Sequence, residues 1–552
     1  MKILGAAIGN CVHVAGIQSF LSAAEAQGHA TSFLGPAVPV KALLEGVRRE
    51  EPDIVAVSYR LGPESAEALM AELRAALDAD PALRRPRYFF GGTPPAARVA
   101  RDTGMFQAVF DGSEPPDAVV VALRGGAPAV PAGVPSSDLV TRVEASFPVP
   151  LIRHHYGQPS MRDTLLGARR IAESRALDIL SIAPDQNAQE SFYRPHEMDP
   201  RLDGAGGAPI RTPDDLRAIR EETRRGNFPL LRCYSGTRDL TRWADMLKET
   251  IDVAWGAVPL MWYSELDGRS KRPLKDAIAE NQLAIRRYAE LGVPVEVNES
   301  HQWALRDCGD TVELATAYIA AHNARALGVK TYVCQFMFDT PRGISPSMDI
   351  AKMSAKLDLV ESLSNGGFKV LRMVRTGLAS LSTSPQVAKG QMAASVYAAM
   401  ALRPHIVHVV GFSEADHVAT ADEVVESCTI ARGAVQRALL GMPDPLADPA
   451  VAARKAQLTK EARFLVDAVK RAATRRTDDP LTDPETLHWA VKDGLLDAPG
   501  LTGGGVAKGR MATAIVGGAC VAVDRATGKP LTEAERLCSL GVAEKDLDMA
   551  EM

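Results

Sequence analysis

The chain has 552 residues, a length that suggests about two to four domains. Hydrophobic residues make up 46% and charged residues 24%, a composition that is typical of a globular protein and excludes a disordered chain. The formal net charge of −5 excludes a strongly basic surface, so we expect no nucleic acid partner. The seven cysteines lack the spacing of metal-binding motifs. The sequence shows neither a secretory signal nor an apolar run of about eighteen residues. We therefore expect a cytoplasmic protein without membrane association.

The first 125 residues alternate short β-like runs with amphipathic helical runs, a pattern that predicts an open parallel sheet of the flavodoxin-like (Rossmann-like) type. The first predicted helix places one apolar face toward the sheet and ends before Gly28. That face consists of Ile17, Phe20, Leu21 and Ala24. The five predicted strands are Ile3–Ile8, Ala30–Leu34, Ile54–Ser58, Tyr88–Phe90 and Ala108–Phe110.

Residues 126–147 begin with a stretch rich in Pro, Gly, Ala and Ser, and we interpret them as an interdomain linker. From 148 to 440 the strand and helix pattern resumes, and eight βα units predict a (β/α)8 TIM barrel with its site at the carboxyl ends of the strands. Residues 441–552 are predicted to form a helical and Gly-rich extension that packs on the barrel. The predicted barrel strands are Val149–Arg153, Leu177–Ala183, Phe228–Tyr234, Val258–Tyr263, Val293–Glu299, Thr331–Phe336, Lys369–Arg375 and Ile406–Gly411.

Three short motifs follow the first, third and fourth strands, at the edge where a flavodoxin-like sheet binds ligands. Their order resembles the B12-binding domain of cobalamin-dependent mutases and methionine synthase, which carries Asp-x-His-x-x-Gly, then Ser-x-Leu, then Gly-Gly. Here Cys11 stands at the place of the aspartate, and the leucine comes one position later. The matching residues are His13, Gly16, Ser58, Leu61, Gly91 and Gly92.

The resemblance implies that this domain binds vitamin B12 (cobalamin), with His13 as the lower axial ligand of the cobalt and thus the metal-binding residue. The glycines would leave room for the nucleotide tail of the corrin. A thiol at Cys11 is a poor acceptor for the imidazole, and the amide oxygen of Asn10 is a second candidate for that task. The alternative is a flavodoxin-like domain without a nucleotide, in which His13 caps a loop.

The segment from Asn298 to Trp303, which includes His301, resembles the catalytic subunit of glutamate mutase, as do parts of the tail between Trp489 and Leu531. That family pairs a (β/α)8 barrel with a separate B12-binding subunit, and this chain would fuse both, with the B12 domain first. The resemblance implies an adenosylcobalamin-dependent radical isomerase, a mutase whose substrate is closed inside the barrel. It also implies a homodimer.

By the same resemblance, Gln335 and Asp339 fall where the family holds the adenosyl ribose with a lysine and a glutamate. The family's three substrate-binding arginines fall near Arg153 or His155, on Gln189 and near Arg232, so one guanidinium is lost. Beyond the fourth barrel strand, a phenol and two carboxylates are predicted to reach the substrate, namely those of Tyr263, Glu265 and Asp267. Fewer arginines would suit an amino or hydroxy compound with fewer acid groups than glutamate.

Each of these residues also has a structural interpretation: the arginines as partners of barrel carboxylates, Gln189 and Asp185 as helix caps, and Trp303 as core packing. Two other functions stay open at this point. A corrinoid methyltransferase also combines a B12 domain with a barrel, and a non-catalytic cobalamin sensor would need no catalytic residues. No lysine stands out as a Schiff base for pyridoxal phosphate, and the sequence leaves the need for that second cofactor open.

Overall fold

The computed structural model of the chain describes residues 1–25, 27–114, 118–123, 135–234, 238–473, 477–502 and 505–542. The chain divides into two compact units, Met1–Gly133 and Val134–Met552. In the described ranges, none of the helices combines the length and the apolarity needed to cross a bilayer.

The first unit is a flavodoxin-like domain, as the sequence predicted: five parallel strands in the order β2-β1-β3-β4-β5. Ile17, Phe20, Leu21 and Ala24 are buried on one face of the first helix, and the positive φ of 78° at Gly28 follows its end. The strands are β1 (Lys2–Ala7), β2 (Ala30–Phe33), β3 (Ile54–Tyr59), β4 (Arg87–Gly92) and β5 (Ala108–Phe110). The helices are α1 (Ala15–Glu25), α2 (Val40–Glu50), α3 (Pro63–Ala79), α4 (Pro94–Thr103) and α5 (Ala118–Leu123).

The second unit contains eight parallel strands that form a nearly closed (β/α)8 barrel in the order β8-β7-β6-β13-β12-β11-β10-β9. The two ends of this sheet meet where the Ala254 amide donates to the Leu231 carbonyl at 2.8 Å. The barrel strands are β6 (Leu151–Tyr156), β7 (Ile179–Ile182), β8 (Leu230–Cys233), β9 (Gly256–Val258), β10 (Val295–Val297), β11 (Thr331–Phe338), β12 (Lys369–Thr376) and β13 (Ile406–His408).

The helices of the second unit cover the barrel, and a short antiparallel pair follows, β14 (Thr513–Val516) with β15 (Ala519–Ala522). The helices up to the last barrel strand are α6 (Leu139–Ser146), α7 (Met161–Ser174), α8 (Gln186–Ser191), α9 (Pro213–Thr223), α10 (Leu240–Ile251), α11 (Leu274–Glu290), α12 (Ser300–Ala304), α13 (Asp310–Ala326), α14 (Pro346–Glu361) and α15 (Pro385–Ala399). The remaining helices are α16 (Ala421–Leu439), α17 (Pro449–Arg471), α18 (Pro484–Lys492) and α19 (Glu533–Ser539).

The structure corrects two predicted boundaries. The segment 126–147, predicted as a linker, contains helix α6, which begins after its cap Asp138; residues 126–134 lie outside the described ranges. The fourth barrel strand ends at Val258 and does not extend to Tyr263. Pro259 cannot donate to a strand ladder, and the next amides, of Leu260 and Met261, donate to the Glu299 carboxylate at 3.2 and 3.0 Å.

Helix α17, in the C-terminal extension, packs against α13 and α14 of the barrel. Leu458 and Ala462 of α17 form an apolar cluster with Leu314 and Leu359. Polar contacts flank this cluster, among them an ion pair between Arg454 and Asp310 at 2.8 Å. The extension is thereby joined to the helices that follow the fifth and sixth barrel strands.

The two adjacent glycines at the end of β4 provide a test of the first unit. A Cβ at Gly92 would lie 2.4 Å from the Tyr59 carbonyl oxygen, whereas a Cβ at Gly91 would have no neighbour within 4 Å. We expect Gly92→Ala to lower the free energy of unfolding of this unit by about 1–3 kcal/mol, because the backbone of β3 must move. Gly91→Ala, the matched control, should change it by less than about 0.5 kcal/mol.

Hydrogen exchange of the β3 amides in the full chain, followed by mass spectrometry, measures this difference, because it reports on the first unit alone. Equal protection of β3 in the two variants would contradict the close approach of β3 and β4 at Gly92.

Candidate functional site

A cavity of about 580 Å³ lies in the first unit, lined by α1 and by strands β3, β4 and β5. Its walls are largely apolar, and strand-end residues complete the lining at one side. This volume is in the range of cavities that bury a small organic ligand. The main apolar lining residues are Ile17, Phe20, Ala56, Phe89, Phe90 and Phe110.

One polar side chain in this cavity has no partner. Ser58 is 4% exposed, and its Oγ is buried without a hydrogen bond. Buried hydroxyls in native proteins are nearly always hydrogen-bonded, so this one is placed to bond a ligand. The cavity wall beside it is open at Gly91, where a Cβ would meet nothing within 4 Å.

His13 lines the same cavity and is exposed, on the loop between β1 and α1. Its Nδ1 lies 3.9 Å from the Sγ of Cys11, which is buried. The Asn10 Oδ1, predicted as a possible acceptor for this imidazole, accepts instead from the Tyr59 hydroxyl at 3.1 Å. The thiol of Cys11 therefore stands behind the imidazole, where it is a weak hydrogen-bonding group.

The other predicted cofactor residues of the first unit divide into two groups. Gly16, Gly91 and Gly92 line the cavity together with His13 and Ser58. Leu61 does not line it but packs against the apolar core that includes Tyr59 and Met70. Across the described ranges, no three His, Cys, Asp or Glu side chains come together in a way that could hold a metal ion. The predicted metal site thus rests on His13.

The barrel of the second unit has an apolar floor. Leu139 and Val143 of α6 form one cluster with residues near the starts of the barrel strands, so α6 closes this end of the barrel. The strand residues in the cluster are Leu151, Ile179, Leu230, Val333, Leu371, Met373 and Ile406. Ligands must therefore enter from the carboxyl ends of the strands.

Above the floor the interior is polar, and Arg153 and Arg232 are its largest buried cations, each 1% exposed. Arg232 forms an ion pair with Glu296, with 3.1 Å between Nη2 and Oε2. The Trp255 Nε1 donates to the same oxygen at 2.8 Å. Burial, and then the neighbouring Arg232, lower the pKa of Arg153 well below its usual value. A single carboxylate thus offsets two closely spaced cations.

His155 lies between these two arginines. Its Nε2 is 2.7 Å from Nη2 of Arg153 and 3.5 Å from Nη1 of Arg232. A guanidinium can only donate, so Nε2 accepts and the ring carries its proton on Nδ1. Burial, and then Arg153 and Arg232, lower the pKa of His155 well below its usual value, so the ring is neutral at pH 7. His408 packs edge-on against it at 4.7 Å between ring centroids.

Arg375 is a third arginine of this interior and was missed by the sequence analysis, which expected fewer arginines in the barrel. It lies on β12 beside His408 in the strand register. Its Nε is buried without a hydrogen bond. The alternating pattern of β12, in which Met373 and Arg375 are two positions apart, was the signal that could have identified it.

Three residues predicted to contact the substrate make local contacts. The Gln189 Nε2 donates to the Pro184 carbonyl at 2.8 Å, and the neighbouring Asp185 caps α8 and pairs with Arg211.

The other two residues follow β9. Glu265 is turned toward α11, where its Oε1 accepts from the Leu274 amide at 2.8 Å. The Tyr263 hydroxyl donates to the Tyr234 hydroxyl at 2.6 Å, beside the Arg232 guanidinium. Only Tyr263 of the three is thereby connected to the arginines.

Of the remaining predicted residues, His301 lies in α12 after β10, Gln335 lies within β11, and Asp339 follows the end of β11. His301 is buried, and its pKa is lowered well below its usual value by burial and then by Arg375. Gln335 is 7% exposed and its Nε2 lacks a partner. Asp339 has a positive φ of 57°, and its amide donates to Asp349 of α14. These contacts connect the end of β11 to α14.

A buried charge network, also missed by the sequence analysis, supports this end of the barrel. Lys352 pairs with Glu313 at 3.0 Å and with Asp349 at 3.4 Å, and its Nζ donates to the Thr340 carbonyl. Burial raises the pKa of Asp349 to about 7, although Lys352 opposes the shift. The network positions the turn that contains Asp339.

The buried pair between Arg232 and Glu296 generates a stability prediction. Glu296→Gln removes the negative charge that offsets the barrel arginines, so we expect it to lower the free energy of unfolding by about 3–5 kcal/mol. All five tryptophans lie in the second unit, so thermal unfolding followed by tryptophan fluorescence reports on it.

The matched control is Asp422→Asn, which breaks the ion pair of Arg170 with Asp422, whose side chains are 61% and 78% exposed. We expect its transition temperature to be nearly that of the wild type, because exposed pairs contribute little. A wild-type transition in the Glu296→Gln variant would contradict the role of this carboxylate.

A family model and a solved structure are similar to the first unit. Residues 1–120 match the family model described as "B12 binding domain". Among solved structures, a novel cobalamin-binding protein from Desulfitobacterium hafniense DCB-2 is 29% identical over 22% of this chain, with a TM-score of 0.20. The match covers 58% of that protein.

A second solved structure, 2,3-dimethylmalate lyase, described as a PEP mutase/isocitrate lyase superfamily member, is 16% identical. It covers 62% of this chain and 100% of its own, with a TM-score of 0.28. Both TM-scores are low, and these two likenesses carry no argument about activity. No curated protein matches the chain. Residues 1–120 thus form a B12-binding domain, and cobalamin is the cofactor that its cavity and its exposed histidine fit.

Proposed function

We propose that the chain is an adenosylcobalamin-dependent radical isomerase, a carbon-skeleton mutase whose first unit binds the cofactor and whose barrel binds the substrate. The observation that carries the proposal is the cavity of the first unit, where an exposed imidazole and an unpartnered buried hydroxyl line the same space. The polar interior of the barrel, above its apolar floor, supports the part of the proposal that places the substrate in the barrel.

In this proposal His13 would be the protein ligand of the cobalt, because an imidazole on an exposed loop can reach a bound metal. The cavity would hold part of the cofactor, with Ser58 donating to it or accepting from it and the glycines of β4 leaving room. Cys11 fills the position behind the imidazole, so the ligand is oriented by a weaker contact than a carboxylate would provide.

Adenosylcobalamin supplies, when bound, a 5′-deoxyadenosyl radical by homolysis of its Co–C bond. The barrel is left to bind and orient the substrate and to exclude water. In the barrel, the Gln335 amide, whose Nε2 lacks a partner, and the Asp339 carboxylate are groups that could bond hydroxyls. The barrel arginines give the interior a positive charge that suits an acidic substrate, and the neutral His155 keeps two of them in place without adding charge.

The substrate we propose is an amino or hydroxy acid other than glutamate. One of the three positions that resemble the arginines of the glutamate mutase clamp holds Gln189, and its amide donates to the Pro184 carbonyl. A second carboxylate, as in glutamate, would therefore find no guanidinium there.

A second candidate is a corrinoid-dependent methyltransferase, which would use the same two units. The observation in its favour is that Gln335 and Asp339 stand where the resemblance places a lysine and a glutamate for the ribose. A non-catalytic sensor is less well supported, because a barrel that binds no substrate has no need of buried, partly unpartnered arginines.

The reaction class can be tested by incubating the full chain with adenosylcobalamin and a panel of amino and hydroxy acids. We expect 5′-deoxyadenosine and an isomer of one acid to form together, detected by mass spectrometry. Methyl transfer from methylcobalamin without 5′-deoxyadenosine would support the second candidate instead. Efficient turnover of glutamate or 3-methylaspartate would contradict the proposed substrate.

Cofactor binding is tested separately by titrating His13→Ala and Ser58→Ala with cobalamin. We expect His13→Ala to abolish the visible spectrum of histidine ligation and to weaken affinity by about tenfold or more, because the metal loses its protein ligand. Ser58→Ala should weaken affinity less and leave the spectrum unchanged. Gln18→Ala, an exposed position of α1 outside the cavity, is the control. An unchanged spectrum in His13→Ala would remove the ligand role.

A further inference from the structure

The barrel arginines lie on one side of its interior. Five adjacent strands, β8, β7, β6, β13 and β12, contribute neighbouring residues: Arg232 pairs in register with Ser181, and Arg153 with His408. His408 in turn pairs with Arg375. The three guanidinium groups thus form an arc, which we call the basic arc (Arg153, Arg232 and Arg375).

The members of the basic arc differ in what they already bind. Arg153 donates to Ser181 through Nε at 2.7 Å and to His155 through Nη2, and its Nη1 lies 3.0 Å from the Met373 sulfur. Arg232 has its ion pair with Glu296. The side chain of Arg375 makes no hydrogen bond and no ion pair with any described residue. Its Nε is buried, yet the side chain as a whole is partly exposed.

Among the described residues, fewer carboxylates than guanidinium groups face the basic arc. Glu296 is the carboxylate in contact with it, and Arg232 and the Trp255 indole share one oxygen of that carboxylate. Burial lowers the pKa of Arg375. The negative charge of Glu414, which lies too far away for an ion pair, opposes this shift. A buried cation that lacks a counterion is unfavourable unless a ligand supplies one.

We propose that Arg375 binds a carboxylate of the substrate. This inference deepens the proposed function. It rests on that function only in one respect, namely that the barrel binds the substrate. A guanidinium matches a carboxylate through two parallel hydrogen bonds. Arg153 is bonded to its neighbours. Arg232 is paired with Glu296 and His155 and keeps only its Nε without a partner, so within the basic arc Arg375 is the guanidinium that can form both bonds. A carboxylate of the substrate is therefore anchored at the seventh barrel strand.

The experiment uses the full chain without cobalamin and two probes of equal size, butyrate and its neutral amide, butyramide, with affinities from calorimetric titration. We expect the wild type to bind butyrate at least about tenfold more tightly than butyramide. Arg375→Gln should remove this preference by weakening butyrate alone. Arg170→Gln, at a position 61% exposed on α7, is the matched control and should keep the preference.

Arg375→Lys keeps the charge but loses the paired hydrogen bonds, and it covers the case in which Arg375→Gln fails to fold. We expect it to weaken butyrate by about tenfold and to leave butyramide unchanged. A wild type without preference for butyrate, or a full preference in Arg375→Gln or Arg375→Lys, would overturn the proposal. Failure to form 5′-deoxyadenosine would overturn the proposed reaction and leave this result standing, because no cofactor is present in the titration.

Discussion

The ion pair of Arg232 with Glu296 is the interaction on which the interior of the barrel depends. Charged groups are costly to remove from water, and three arginines on alternate strands of one side of the barrel would repel one another. The Glu296 carboxylate, held by the Trp255 indole as well, offsets part of that charge. His155 accepts from two guanidiniums while staying neutral. The chamber can thus stay basic without being filled by carboxylates.

The first unit has a different requirement, that of keeping a pocket open beside its packed core. Protein interiors are normally filled to crystal-like density, so a pocket of about 580 Å³ needs walls that side chains cannot close. The aromatic side chains of α1, β4 and β5 provide these walls, with Phe20, Phe89 and Phe110 in mutual ring contact. Gly92 lets β3 and β4 approach, and Gly91 leaves the space free.

The proposed function divides the work between the two units. The first matches the B12-binding domain, and its pocket offers a largely apolar space, one imidazole and one hydroxyl to a large cofactor. The second provides charge in a chamber with a closed floor. At the end of β11, Asp349 pairs with Lys352 and accepts from the amide of Asp339, which has a left-handed backbone conformation. Binding and chemistry are thus assigned to different folds.

The sequence by itself determined the two fold types, the buried face of α1 and the strand-end motif with His13, because periodicity and the order of short motifs are local properties. It misplaced the end of β9 and read α6 as linker, since a Pro-limited strand and a short helix have weak local signals. Only the tertiary structure decided which polar residues meet. Glu265 turns to a helix end, and Arg375, more than 200 residues from Arg153, joins it across β13, because the closure of the barrel brings together strands that are distant in the chain.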